Sequence, residues 1–254
     1  MLFSNAIVRT PCRAMINGLT GARLGKPDYQ KALDQHVAYI EALQMCGLQV
    51  TVLPPDEDYP DSCFVEDISL CTPNGAILTC PGAESRRGEV SSIRDIITKF
   101  YDKVLAIEYP GTVDAGDIMM VGSHFYIGLS ARTNEVGARE MISELNSLGL
   151  TGETVEIEGI LHLKTGAAYL ENNNLLLTET LQHMECFQRF KRIPVNSNEA
   201  YAANTIWVNG RVIMPSGYPE TLHKIQDLGY EVIDVPTSEF EKLDGGVSCL
   251  SLRF

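Results

Sequence analysis

Four times along the chain, two short apolar runs flank a polar turn. Ile68, Leu70 and Cys71 precede Asn74-Gly75, and Ala76, Ile77 and Leu78 follow it. Ile118, Met119, Met120 and Val121 lead through Gly122-Ser123 to Phe125, Tyr126 and Ile127. Ala168, Tyr169 and Leu170 lead through Asn172-Asn173 to Leu175, Leu176 and Leu177, and Ile206, Trp207 and Val208 through Asn209-Gly210 to Val212, Ile213 and Met214. Asn-Gly between apolar runs predicts a hairpin closed by a type I′ turn, whose two central residues both need positive φ. Segments of helical periodicity alternate with the hairpins. Ala32, Leu33, His36, Val37, Ile40 and Leu43 share one face behind the N-cap Asp28. Ile93, Ile96, Ile97 and Phe100 form a second face. Val136, Met141, Ile142, Leu145 and Leu148 form a third after Asn134, and Leu222, Ile225 and Leu228 a fourth after Pro219. An apolar strand over residues 247–252 is expected to pair with the opening strand over residues 6–10.

Four internal hairpins and a fifth shared by the termini predict a closed, radially repeated α/β arrangement. Closure protects sheet edges and brings strand ends together at a common centre. A doubly wound sheet is the alternative, but the chain holds neither G-x-G-x-x-G nor G-x-x-x-x-G-K-[ST], so no nucleotide cofactor is expected. No long Pro/Gly/Ser linker divides the chain, and residues 1–254 are read as a single domain.

Composition narrows the picture. With 20 Lys+Arg against 33 Asp+Glu, the net charge is −13, which argues against nucleic acid as a partner. No run approaches the roughly 20 apolar residues of a membrane span. The opening residues lack a basic stretch followed by an apolar one, so no signal peptide is expected. Seven scattered cysteines without a C-x-x-C pair point to a reducing, cytoplasmic setting and give no zinc-site spacing.

Candidate chemistry clusters beside the predicted strands. Polar residues in Asp61-Ser62-Cys63-Phe64-Val65-Glu66-Asp67, Asp114-Ala115-Gly116-Asp117, Glu171-Asn172, Asn204 and Ser248-Cys249 would converge on the centre of a radial fold. Each alone reads equally as a turn or strand cap. Cys249 follows Gly245-Gly246, which permit close backbone approach; it is either an inert strand cysteine or a nucleophile activated by nearby positive charge. His162 lies between apolar residues shortly before Gly166 and is the best proton-transfer partner for a thiol, against the reading as a hydrogen-bonded strand histidine. The carboxylates suit a guanidinium, whose N–H fork matches them. A hard divalent cation is the other option, although EF-hand spacing is missing. Arg86, Arg87 and Arg132 stand in loops as candidates for a ligand carboxylate.

Taken in order, these motifs resemble the dimethylarginine dimethylaminohydrolase family in its bacterial form. The resemblance rests on the Asp61 to Asp67 segment, Pro81-Gly82-Ala83-Glu84-Ser85-Arg86-Arg87, Gly111-Thr112-Val113-Asp114-Ala115-Gly116-Asp117, Leu161-His162-Leu163-Lys164 and the terminal Gly245 to Cys249 segment. It extends over essentially the whole chain. It implies a five-bladed α/β propeller of ββαβ modules, the pentein fold of guanidino-group-modifying enzymes. It implies hydrolysis of methylated arginines to citrulline through a covalent thiouronium, without cofactor or metal. It further implies Cys249 as nucleophile, His162 as general acid/base and Asp114 as the carboxylate orienting His162. Asp67, with Glu66 beside it, would bind the guanidinium, Arg86 and Arg132 the α-carboxylate, and Asp61 with the carbonyls of Leu19 and Leu243 the amino-acid end. A homodimer is expected by the same resemblance.

Two positions depart from the family pattern. Asp114 stands where some relatives have Glu, which shortens its reach, and Cys63 replaces a more usual apolar residue, adding a second thiol near the site. The competing functions are an arginine deiminase, usually longer through an inserted helical domain, and a non-catalytic arginine-binding protein. A metal hydrolase is a third reading, and zinc bridging Cys249 and His162 is expected to inhibit.

Overall fold

Every apolar hairpin of the sequence is the inner half of a three-stranded sheet in the computed structural model, which describes residues 2–254. Strands β1 (Asn5–Arg9) and β2 (Gln49–Leu53) pair in parallel around helix α1 (Tyr29–Met45). In the second sheet β3 (Ser69–Thr72) and β4 (Gly75–Leu78) form an antiparallel hairpin. Helix α2 (Glu89–Ile97) then returns the chain to β5 (Val104–Ala106), parallel to β4. The unit repeats as β6 (Ile118–Val121), β7 (His124–Leu129), α3 (Glu135–Ser147) and β8 (Thr151–Glu156). After the short helix α4 (Leu163–Gly166) come β9 (Ala167–Tyr169), β10 (Asn174–Thr178) and β11 (Lys191–Val195). The last full unit is β12 (Ile206–Val208), β13 (Arg211–Pro215), α5 (Pro219–Gln226) and β14 (Glu231–Val235). Beyond α6 (Ser238–Glu241), β15 (Leu252–Arg253) joins β1 antiparallel, so the chain end completes the sheet that its start began. This is the five-bladed α/β propeller.

The helix caps act as the sequence predicts. The Asp28 side chain accepts from Lys31 N, and that of Asn134 from Gly137 N, each satisfying one of the donors a helix start leaves open. Between β10 and β11 the crossover is irregular, with only a 3-10 turn over Glu185–Phe187. That segment carries no helical period, and the fully buried Phe187 fills the space beside Tyr126, Leu175 and Leu177. A side chain of this kind contributes roughly 1.5–3 kcal/mol by burial.

Turn chemistry differs among the hairpins. Asn209 and Gly210 have φ of 50° and 92°, the two positive values a type I′ turn needs. At the β3–β4 turn, Thr72 pairs with Gly75, so the loop residues are Pro73 and Asn74 rather than Asn74-Gly75. Proline holds φ near −65°, which excludes type I′ there. The β9–β10 turn is wider than expected, with Glu171, Asn172 and Asn173 all at positive φ.

The inner strands β3, β6, β9, β12 and β15 surround the propeller axis and line a cavity of about 130 Å³. Each is preceded by a short helical turn: Val65–Ile68, Ala115–Asp117, α4, Ser197–Ala203 and residues 246–250. The last of these corrects the expected strand over 247–252. Only its end, at Leu252, is strand, while the stretch carrying Cys249 is a turn closed by Cys249 N donating to Gly246 O. His162 likewise is the N-cap of α4 and not a strand residue.

Candidate active site

Because five equivalent turns precede five inner strands, one polar residue from each reaches the same end of the axis. They are Asp67, Asp114, His162, Asn204 and Cys249, all less than one-tenth exposed. Glu171-Asn172 does not join them: it forms the β9–β10 hairpin turn, and Glu171 lines the axial cavity. The short α4 segment takes that place in the ring.

A pocket at this end brings together every residue that the family resemblance assigns to the site except Glu66, and it leaves out the candidate Arg87. Cys249, His162, Asp114 and Asp67 line it together with Asp61, Arg86, Arg132, Leu19 and Leu243. Glu66 faces the axial cavity instead, where its carboxylate meets Lys164 Nζ at 2.7 Å and Arg253 Nη2 at 2.9 Å. It stays tied to the turn bearing Cys249 through its backbone, with Glu66 N donating to Cys249 O at 3.1 Å. Cys63 is buried in the core with Cys12 and Phe64 and does not line the pocket.

His162 Nε2 lies 3.1 Å from Asp114 Oδ2, and Asp114 Oδ1 accepts from Gly82 N at 2.9 Å. Aspartate is therefore long enough for this contact. Burial pulls the imidazole pKa down, but the charge of Asp67, the bond to Asp114 and the charge of Asp117 outweigh it and lift His162 to about 9. His162 is thus an imidazolium at neutral pH. Burial, then the charges of Asp67 and Glu66, push the Cys249 thiol up to about 12. Left to its own residues, the site holds a neutral thiol beside a protonated imidazole.

Asp67 Oδ1 accepts from Gly116 N at 3.1 Å, and its other oxygen holds Arg86 Nη1. Burial would raise Asp67, yet Arg86 and His162 keep its carboxyl below the usual range. Gly116 is required by space: an added Cβ would meet Asp67 Oδ1 and His162 Nδ1, both at 2.7 Å. Arg86, expected on a ligand carboxylate, already donates to Asp67, to both oxygens of Glu89 and to Phe64 O. Arg132 is half-buried at the rim, and Asp61 Oδ1 accepts from Leu19 N at 3.0 Å. Asp67, Asp114 and His162 place one ligand atom each within 4.8 Å of one another. With Arg86 on Asp67 and a protonated His162 on Asp114, this group suits an organic cation better than a metal ion, which needs a neutral imidazole.

Asn204, which the sequence offers only as one polar residue among several, clamps the turn bearing Cys249. Its Oδ1 accepts from Ser248 N at 2.9 Å, and its Nδ2 donates to Ser248 Oγ at 3.1 Å and Lys164 O at 3.2 Å. Gly246 is glycine because an added Cβ would collide with this amide, and a Cβ on Gly245 would collide with the Phe64 ring. The paired glycines thus serve packing within the protein. Glu89 and Arg253 carry no motif that marks them as supports of the site, and Lys164, although it ends the Leu161–Lys164 motif, is given no role by it.

A thiol, an imidazole and paired carboxylates at the end of a five-bladed α/β propeller define a guanidino-group-modifying enzyme. Over residues 23–185 the chain matches the family described as N,N dimethylarginine dimethylhydrolase, eukaryotic. It is 60% identical over 254 residues to the N(G),N(G)-dimethylarginine dimethylaminohydrolase of Pseudomonas aeruginosa, covering 100% of both chains. It is 35% identical to the enzyme of that name from Streptomyces coelicolor, covering 98% of this chain and 96% of the other. A solved structure of the Pseudomonas aeruginosa protein, a C249S mutant complexed with citrulline, superposes with a TM-score of 0.99 at 60% identity, covering 100% of both chains. The chain belongs to the dimethylarginine dimethylaminohydrolase family.

Proposed function

We propose that the protein hydrolyses N(ω),N(ω)-dimethyl-L-arginine and N(ω)-monomethyl-L-arginine to L-citrulline, releasing dimethylamine or methylamine. The observation that carries this reading is the convergence of Cys249, His162, Asp67 and Asp114 on one pocket in a chain of this family. The substrate guanidinium lies against Asp67, and its positive charge offsets the surrounding carboxylates, drawing Cys249 from thiol to thiolate with release of the thiol proton to solvent. The thiolate attacks the guanidinium carbon. His162, already protonated, gives its proton to the departing amine, since an amide anion does not leave. The resulting thiouronium is hydrolysed by water that His162, now neutral, deprotonates.

Arg132 holds the α-carboxylate. Asp61 and the backbone at Leu19 and Leu243 hold the α-amino end, while Asp114 orients His162. Arg86 acts chiefly through Asp67, whose carboxylate it fixes. Cys249 and His162 would hold an inhibitory zinc ion only once both have lost their protons, since thiolate and neutral imidazole are good ligands for that ion. The whole chain works as one catalytic domain in the cytoplasm, where its seven free cysteines stay reduced.

The test is citrulline formation in EDTA from dimethylarginine and, separately, from arginine, beside a Cys249→Ser control. Citrulline from the methylated substrate, lost in the variant, supports the reading. Citrulline mainly from arginine makes the protein a deiminase, and none from either leaves an arginine-binding protein.

A further inference from the structure

Asp117 is fully buried, lies outside the pocket lining and takes no part in the steps above. Its two oxygens nevertheless reach three arms of the site. Oδ1 accepts from Leu163 N at 3.0 Å, the residue directly after His162. Oδ2 accepts from Ser130 Oγ and from Thr133 Oγ1, each at 2.6 Å. Both hydroxyls, having spent their hydrogens on Asp117, turn lone pairs toward the site. Ser130 Oγ accepts from Arg132 N at 3.0 Å and Thr133 N at 3.1 Å, and Thr133 Oγ1 accepts from Asp114 N at 3.2 Å.

We infer that Asp117 is a positioning residue that sets the proton-transfer pair and the substrate's carboxylate anchor in one register, through Leu163 on one side and the Ser130–Thr133 turn on the other. The inference rests on the hydrolase reading above. A carboxylate suits this place because it only accepts, so all three donors are satisfied at once. Asparagine offers one oxygen and one N–H₂ group. It can keep Leu163 N, but its amide then faces two hydroxyls that need an acceptor, and both lone pairs of Ser130 Oγ are already engaged. Their hydrogens lose their acceptor in a buried setting, which strains the turn bearing Arg132.

The pattern divides the labour by arm, and that division is what a merely structural carboxylate does not produce. Ser130 serves Arg132 N directly and Thr133 only through its backbone N, so Ser130→Ala raises KM for dimethylarginine about fivefold with a smaller loss in kcat. Thr133 serves Asp114, so Thr133→Val lowers kcat about tenfold with a smaller change in KM, and Thr133→Ser restores it. Asp117→Asn shows both effects together.

Steady-state kinetics of these variants, each checked for folding by circular dichroism, decides the matter once the wild-type protein yields citrulline. The expected result is the split between Ser130→Ala and Thr133→Val, with rescue by Thr133→Ser. Folded Asp117→Asn with wild-type kcat and KM overturns the inference. If Asp117→Asn does not fold, the other variants decide: equal losses in kcat and KM from both, or no loss from either, overturn it. A wild-type protein that forms no citrulline would instead remove the hydrolase reading on which the inference stands.

Discussion

His162 Nε2 and Asp114 Oδ2 sit 3.1 Å apart in a buried pocket, and this contact helps hold the imidazole in its protonated form. Replacing the charge while keeping the shape, as in Asp114→Asn, removes one of the three anions that raise His162, leaving Asp67 and Asp117. The basic limb of the pH profile of kcat, where His162 loses its proton in the substrate complex, is expected to lie lower in the variant than in the wild type by about one unit or more. kcat should fall about 100-fold, within the range typical of acid–base catalysis. An unshifted limb would detach Asp114 from His162.

The same group links pH to stability. The folded pKa of about 9 lies above the ordinary value of 6.5, so this contribution is complete below pH 6.5 and disappears as pH rises through 9. Urea unfolding should show a loss on the order of 3 kcal/mol across that window, since each pH unit between the two values is worth about 1.4 kcal/mol. Asp114→Asn should flatten the dependence.

Gly116→Ala should remove activity more than it removes stability. The added methyl group would sit 2.7 Å from both Asp67 Oδ1 and His162 Nδ1, so one of the two must move off the substrate. A displacement of about 1 Å costs roughly 100-fold in rate. Kinetics beside a thermal melt checks this, and near-normal turnover would show that the two side chains have room to give.

Glu66 is expected to act on Cys249 through charge from the far side of the ring. Glu66→Gln removes an anion that raises the thiol and leaves Lys164 and Arg253 uncompensated. Alkylation of Cys249 by iodoacetamide at pH 8, followed by peptide mass spectrometry, should become faster. Unchanged kinetics would mean that Glu66 acts only as a brace.

Much of this architecture was legible in the sequence because it depends on local chemistry. Asn209-Gly210 forms its turn by φ preference, Asp28 and Asn134 cap helices by side-chain reach, and the repeat of apolar runs counts the blades. Features set by long-range packing were not legible. Residues 247–251 are apolar enough for a strand, but Asn204, far away in sequence, holds Ser248 and keeps the segment in a turn. Glu66 and Asp67 are neighbours with the same chemistry, yet the 3-10 turn over Val65–Ile68 sends them to opposite sides of the ring. Pro73 outweighs the Asn-Gly signal beside it, since a ring-locked φ leaves no choice of turn.

Catalysis by this site depends most on Cys249 forming a bond to the substrate carbon. Acid quenching within milliseconds of mixing with dimethylarginine, followed by intact-protein and peptide mass spectrometry, tests this directly. The predicted result is a thiouronium adduct on the peptide bearing Cys249, formed before citrulline and absent from Cys249→Ser. Citrulline produced at the wild-type rate by Cys249→Ser would contradict it.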